Sequence, residues 1–288
     1  MNEITKKELV SFPSPFIRAI QNDKYTKGHS KFSVTQLISP PYRTFLKLTN
    51  EEIRSPYGSF MALLGTAVHN ILEENVDLSA GEMAEVRMFK DFNVVGTQLT
   101  ISGQIDFYEP FTVYDYKITG GVQDEMKPEH YRQVQMNAYL ATQNGIKVYN
   151  VAVVYVQRDW SYMQSTLNPA YPKTPFKVFV HPYNEMEAIE DFQISIGDHL
   201  AASLGNPRPC TDSEMWAKPD TFALMKPGAK RASKVCASYA EAEDLKSSGQ
   251  FIQTRKGERT FCSMFCGLGH VCPIYQKHLA SLKNETMP

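Results

Sequence analysis

The sequence predicts an α/β fold, a central mixed β-sheet flanked by helices, on three observations. Residues 59–76, SFMALLGTAVHNILEENV, carry a helical apolar stripe. Residues 103–117, GQIDFYEPFTVYDYK, read as two adjacent strands joined by a turn at Glu109-Pro110. Residues 128–143 then read as a helix, and the apolar run VYNVAVVYVQ (148–157) follows it as a buried strand.

The elements follow in chain order. Residues 1–31 are polar and interrupted by Pro, which suits a loosely packed arm or a short helix. Ser33 can cap a short helix that Pro40 and Pro41 break. Tyr42 to Leu48 resumes an apolar pattern. In the helix over 59–76, Leu64, Val68, Ile71 and Leu72 form the stripe. Gly65, His69 and Glu73 share another face at i, i+4 and i+8, and Gly65 would permit close backbone approach there. Residues 83–108 suit two or three strands of a meander, with turn signals near Asn93, Gly96 and Gly103. Gly120-Gly121 ends the strand that carries Lys117. Pro128 fits the first turn of the next helix. A short strand is expected at 174–181, then a helix over 184–203 that starts at Asn184 and ends before Gly205. From Asn206 onward the chain breaks into Pro-, Lys- and Cys-rich short elements. This division gives a helical arm at 1–58, a core at 59–204 and a basic, Cys-containing extension at 205–288.

Composition limits the function. The 288 residues have a net charge of −1 and are 42% hydrophobic, so a core can form and the whole chain is not a general polyanion binder. The charge is unevenly placed. Residues 1–50 hold 8 Lys/Arg against 3 Asp/Glu, residues 51–110 hold 3 against 10, and residues 205–288 hold 12 against 8. An acidic centre between basic flanks suits a cation site beside a polyanion-binding surface. No apolar run approaches the roughly 20 residues that span a bilayer. The N-terminus has no uninterrupted apolar stretch of the kind a secretory signal needs. Five cysteines, three of them within residues 262–272, favour a reducing cytoplasm and a metal site over a disulfide framework.

The chemistry concentrates in 103–117. Asp115 and Lys117 are i and i+2 on a strand and point to one face, and Asp106 on the adjoining strand can reach the same spot. Two carboxylates and an ammonium on a half-buried face suit a hard divalent cation with a lysine beside it. His69 stands on the preceding helix and can add an imidazole ligand. On the following helix Arg132, Gln135 and Tyr139 form a polar stripe suited to holding a phosphate or orienting Lys117. Cys262, Cys266 and Cys272 need a fourth thiolate, with Cys210 and Cys236 as candidates; such clusters take Zn²⁺ or iron–sulfur. Lys226, Lys230, Arg231 and Lys234 form a basic run around Pro227-Gly228 that could track a phosphate backbone.

In chain order, GTAVHNILE (65–73), GQID (103–106), DYK (115–117) and QMNAY (135–139) resemble the motifs of the PD-(D/E)XK nuclease superfamily, RecB-like branch. SVTQLISPP (33–41) and the cysteine-bearing tail resemble bacteriophage members of that group. The resemblance implies a restriction-endonuclease-like core. It implies that His69, Asp106, Asp115 and the backbone carbonyl of Tyr116 bind Mg²⁺ or Mn²⁺, that Lys117 is catalytic, and that Gln135 and Tyr139 support the site. It offers Glu85 as a further acid. It implies a DNA exonuclease of phage recombination or replication, acting in the host cytoplasm, with a single-strand annealing protein as a candidate partner. A CRISPR-associated-type end-trimming nuclease and a non-catalytic DNA-binding scaffold of the same fold are the alternatives. Iron–sulfur members usually take one cysteine before the core, and this chain has none before Cys210. If a 4Fe–4S cluster or Zn²⁺ is bound, Cys210 is the expected fourth ligand, with Cys236 in reserve; a metal-free tail is the alternative. The expectations do not fix the oligomeric state.

Overall fold

A six-stranded mixed sheet lies at the centre of the computed structural model, which describes residues 13–21, 26–53, 56–94, 96–121 and 123–284. The chain divides into two compact units. The first contains α1 (Ser14–Gln21), β1 (Phe32–Ser33) and α2 (Val34–Leu37). The short helix α3 (Pro41–Leu46) passes to the second unit from Tyr42 onward. The first unit resumes with α4 (Pro56–Glu73), β2 (Met83–Val94), β3 (Thr97–Glu109), β4 (Phe111–Thr119), α5 (Pro128–Gln143), β5 (Val148–Gln157), α6 (Tyr162–Leu167), β6 (Phe176–Pro182) and α7 (Glu185–Ser203).

Strands run in the order β1-β3-β4-β5-β6, and β2 also pairs with β3. The β1–β3 and β4–β5 pairs are parallel, and the other pairs are antiparallel. A parallel β4–β5 pair requires a crossover, and α5 supplies it. Pro128 sits in the first turn of α5, where its missing N–H costs nothing. Every residue of α5 from Val134 to Ala141 is buried. This is a helix enclosed on most sides, and it packs on the β3–β4–β5 face with Ile105, Val113, Val151, Val153 and Tyr155. Helix α7 closes the layer through the Tyr139–Phe192 and Phe92–Phe192 ring contacts. Its N-cap is Asn184, whose side chain accepts from Glu187 N.

Gly103 permits the close approach of α5 to β3. A Cβ there would lie 2.5 Å from Asn137 Oδ1 and 2.6 Å from Leu140 Cδ1. Gly103 is therefore a mid-strand contact and not the turn its residue type suggests. The meander over 83–109 accordingly has two long strands. Two other expectations shift. The helix expected at 59–76 runs Pro56–Glu73, and Ile71 and Leu72 of its apolar stripe are exposed. A Cβ on Gly65 would meet open space, so close packing does not explain that glycine. The strand expected at 174–181 is β6.

The second unit, residues 42–53 with 208–284 among those described, holds a three-stranded antiparallel sheet in the order β8-β7-β9. These strands are β7 (Thr221–Met225), β8 (Lys234–Cys236) and β9 (Phe251–Arg255), with α8 (Tyr239–Leu245) between β8 and β9. The helices α9 (Thr260–Met264) and α10 (Pro273–Asn284) follow. Its apolar residues form two clusters. Leu46, Met215, Leu268 and Tyr275 gather around Cys262, Cys266 and Cys272, while Cys236 packs apart with Leu224 and Ala242. No helix among the described residues is long and apolar enough to cross a membrane.

Candidate metal centre

The site lies where β3 and β4 part. They pair only from Phe107–Tyr114 to Glu109–Thr112, and β1 takes the same edge of β3 further back at Ile101 and Ser102. Asp106 stands at the fork. Its Oδ2 accepts a hydrogen bond from Tyr116 N at 2.7 Å, so a side chain bridges the strands beyond their ladder. On the other side of β3, Glu85 of β2 lies opposite Asp106. The register runs Ala84–Phe107 and then Val86–Ile105, and Glu85 itself has φ 53°. Residues other than glycine seldom adopt that backbone, and such positions concentrate at functional sites.

Helix α4 brings in His69. Its Nδ1 is 2.9 Å from Glu85 Oε1, and its Nε2 is 3.7 Å from Asp106 Oδ2. One ligand atom from each of His69, Glu85 and Asp106 lies within 4.8 Å of the others, the only such trio of His, Cys, Asp or Glu among the described residues. Next along β4, Lys117 Nζ is 2.8 Å from Asp115 Oδ1 and 2.6 Å from Oδ2, with hydrogen-bond geometry only to Oδ1. Asp115 is 1% exposed. Tyr116 lies between them in sequence, and its ring meets His69 edge-on at 5.9 Å.

The charges are out of balance. Burial pushes the Asp106 carboxyl well above the usual carboxylate range, and the Asp115 charge adds to this; Lys117, His69 and the Tyr116 N–H offset only part. At His69, burial opposes the imidazolium. The Glu85 hydrogen bond and the Asp106 and Glu85 charges outweigh it and raise the ring above its ordinary value. Three carboxylates and an imidazole thus converge with one lysine, and a divalent cation would relieve that excess. Oxygen donors with one imidazole nitrogen fit Mg²⁺ or Mn²⁺.

The other expected residues make contacts of their own. The Gln135 amide is taken at both ends, Nε2 by Pro182 O at 3.0 Å and Oε1 by Asn184 N at 2.9 Å, so it ties α5 to the start of α7. Tyr139 packs against Phe92 and Phe192. Arg132 donates to Asp191 at 2.7 Å and to Ser195 at 2.9 Å. In the second unit Lys226, Lys230, Arg231 and Lys234 are all exposed around the β7–β8 turn, and Lys234 lies 3.5 Å from Glu241. Cys210, Cys262, Cys266 and Cys272 share one cluster and form no disulfide. Burial and the neighbouring charges, including the other three thiols, push Cys210 up to about 12. Burial does the same to Cys262. No three of these sulfurs lie within 4.8 Å of one another. Motif reading passed over Arg87 and Gln104, although strand alternation places Gln104 on the face of Asp106.

No protein-family model and no curated protein matches the chain. Solved structures do. SSO0001 is 16% identical, covering 67% of this chain and 86% of that one at a TM-score of 0.45. A candidate exonuclease from Eubacterium rectale is 14% identical, covering 73% and 90% at 0.36. LHK-Exo, solved in complex with dAMP, is 11% identical, covering 60% and 93% at 0.28.

Proposed function

We propose that this chain is a Mg²⁺- or Mn²⁺-dependent nuclease that hydrolyses phosphodiester bonds in DNA, acting as an exonuclease in phage recombination or replication. The observation that carries the reading is the convergence of His69, Glu85 and Asp106 within 4.8 Å, next to a buried Asp115 that holds Lys117. His69, Glu85 and Asp106 would hold the cation, and Asp115 and the backbone carbonyl of Tyr116 are the further ligands proposed for it. A cation bound there would supply Lewis-acid neutralisation of the phosphate and would make water more acidic.

The chain's own groups do the rest. Asp115 fixes the Lys117 ammonium, which is placed to steady negative charge developing on the phosphate or to exchange a proton with the attacking water. Asp106 holds the strands at their fork through Tyr116 N, so the carboxylate is positioned before substrate arrives. The exposed lysines and arginine of the β7–β8 turn suit contacts to a phosphate backbone.

The cysteine quartet is proposed as a second metal site, built on Cys210, Cys262, Cys266 and Cys272. A tetrahedral Zn²⁺ with bonds of about 2.3 Å draws its sulfurs to about 3.8 Å from one another. Zn²⁺ and a 4Fe–4S cluster are the two groups that this donor set suits.

The test is degradation of end-labelled DNA with Mg²⁺ or Mn²⁺, with Lys117→Ala as control. Loss of linear DNA with survival of covalently closed circles is expected. Equal cleavage by the variant, or no cleavage of any DNA, would overturn the reading.

A further inference from the structure

Two of the proposed metal ligands belong to a polar block on one face of the β2–β3 ladder: Glu85 and Arg87 on β2, Gln104 and Asp106 on β3. Arg87 and Gln104 are direct cross-strand partners in the ladder. Asp106 is two residues after Gln104, so alternation puts both on the side of Arg87, and the Gln104–Glu85 hydrogen bond brings the Glu85 carboxylate to the same block.

Their hydrogen bonds run in one direction. Arg87 Nη2 donates to Gln104 Oε1. Gln104 Nε2 donates to Glu85 Oε2. The other carboxylate oxygen, Oε1, meets His69 Nδ1 at 2.9 Å, and His69 Nε2 faces Asp106 Oδ2 at 3.7 Å. A guanidinium has only donors, so Arg87 admits only the oxygen end of the Gln104 amide. The NH₂ end must then face Glu85. With the amide reversed, nitrogen would face guanidinium and oxygen would face carboxylate, and both contacts would repel.

Glu85 needs such a support more than its neighbours do. It leaves the regular ladder and holds φ 53°, so its own backbone does not aim its side chain in the ordinary strand direction. The Gln104 backbone is itself fixed, since its carbonyl accepts from Asn137 Nδ2 of the enclosed helix α5 at 3.1 Å.

We infer that Gln104 is a positioning residue for the metal centre, and that Arg87 sets its amide orientation, so that Glu85 presents one oxygen to His69 and the cation in a fixed direction. This rests on the proposed reading of His69, Glu85 and Asp106 as the cation site. Outer residues of this kind orient the ligands that touch a metal, and their loss typically lowers metal affinity about 10–100-fold.

The experiment is Mn²⁺ titration of the full chain by calorimetry, without DNA, for wild type, Gln104→Met and Arg87→Met, with thermal unfolding of the metal-free proteins alongside. Methionine keeps much of the glutamine volume and removes both polar ends. Gln104→Met is expected to weaken Mn²⁺ binding at least about tenfold. Arg87→Met, which leaves the amide free to reverse, is expected to weaken it less. Wild-type binding with both variants within twofold would overturn the inference and leave the metal site standing. No binding by wild type would overturn both. If Gln104→Met does not fold, Arg87→Met decides: unchanged affinity overturns the inference, and a drop with an unchanged metal-free unfolding midpoint supports it.

Discussion

Lys117 Nζ stands 2.8 Å from Asp115 Oδ1, two residues apart on one strand, over a carboxylate that is 1% exposed. A buried carboxylate of this kind depends on its donor. Lys117→Met should abolish DNA cleavage by at least about a hundredfold, the scale of a lost proton-transfer or charge-stabilising group. It should also lower stability by about 1–3 kcal/mol, because Asp115 is left buried without a partner. Single-turnover cleavage and urea unfolding measure the two effects separately. Unchanged cleavage would remove Lys117 from the mechanism.

Gly103→Ala probes the contact between α5 and β3. The new methyl would meet Asn137 Oδ1 at 2.5 Å and Leu140 Cδ1 at 2.6 Å, with Val34 Cγ2 at 3.1 Å. Three neighbours leave little room to adjust, so a loss of about 1–3 kcal/mol is expected, as for other overpacked cores. The helix would also be pushed from the strand that carries Asp106. The denaturant midpoint should therefore fall, and Mn²⁺ affinity should fall with it.

The pH dependence of stability should carry a His130 component. Its Nδ1 is 2.8 Å from Tyr155 Oη, and burial, then the Lys117 and Lys127 charges, push the ring down to about 3 from an ordinary value of 6.5. The folded state keeps His130 neutral where the unfolded chain would protonate it. Its contribution is present above pH 6.5 and is lost as pH falls from there toward 3. Urea unfolding at pH 7 and pH 5 should show wild type losing more stability than His130→Gln. Parallel losses would show that His130 is not held neutral.

The cysteines separate by position. Cys262→Ser should strip the zinc or iron of the proposed second site and lower the thermal midpoint, because its thiol lies with Cys266 and Cys272 in one apolar cluster. Cys236→Ser should leave metal content unchanged, since Cys236 packs with Leu224 and Ala242 instead. Elemental analysis of protein purified without oxygen decides both. Equal zinc and iron contents in the Cys262 variant and wild type would end the second-site proposal.

Much of the fold was legible because its elements are marked locally. Pro128 opens α5, Asn184 caps α7, and the alternation in 103–117 marks β3 and β4. The site was legible where residues are near in sequence, as with Asp115 and Lys117. It was less so where distant strands meet. Glu85 takes an irregular backbone that local sequence does not encode, and the Arg87–Gln104 pair exists only once β2 and β3 are in register. Gly103 looked like a turn because glycine marks turns and close contacts alike. Distinguishing the two requires Asn137 and Leu140, which are more than thirty residues further on.

Tyr139 offers the sharpest separation of support from chemistry. Its ring lies in the Phe92–Phe192 cluster, 8% exposed, with the Lys90 ammonium 5.8 Å from its centroid. Packing accounts for this position without a role for the hydroxyl at Lys117. Tyr139→Phe should therefore retain cleavage within about twofold and keep nearly full stability, because the ring volume is conserved. Tyr139→Ala should cost about 3–5 kcal/mol, the range for removing a buried aromatic ring, and should lower activity only as far as unfolding does. A Phe variant that folds normally but loses cleavage about a hundredfold would place the hydroxyl in the reaction.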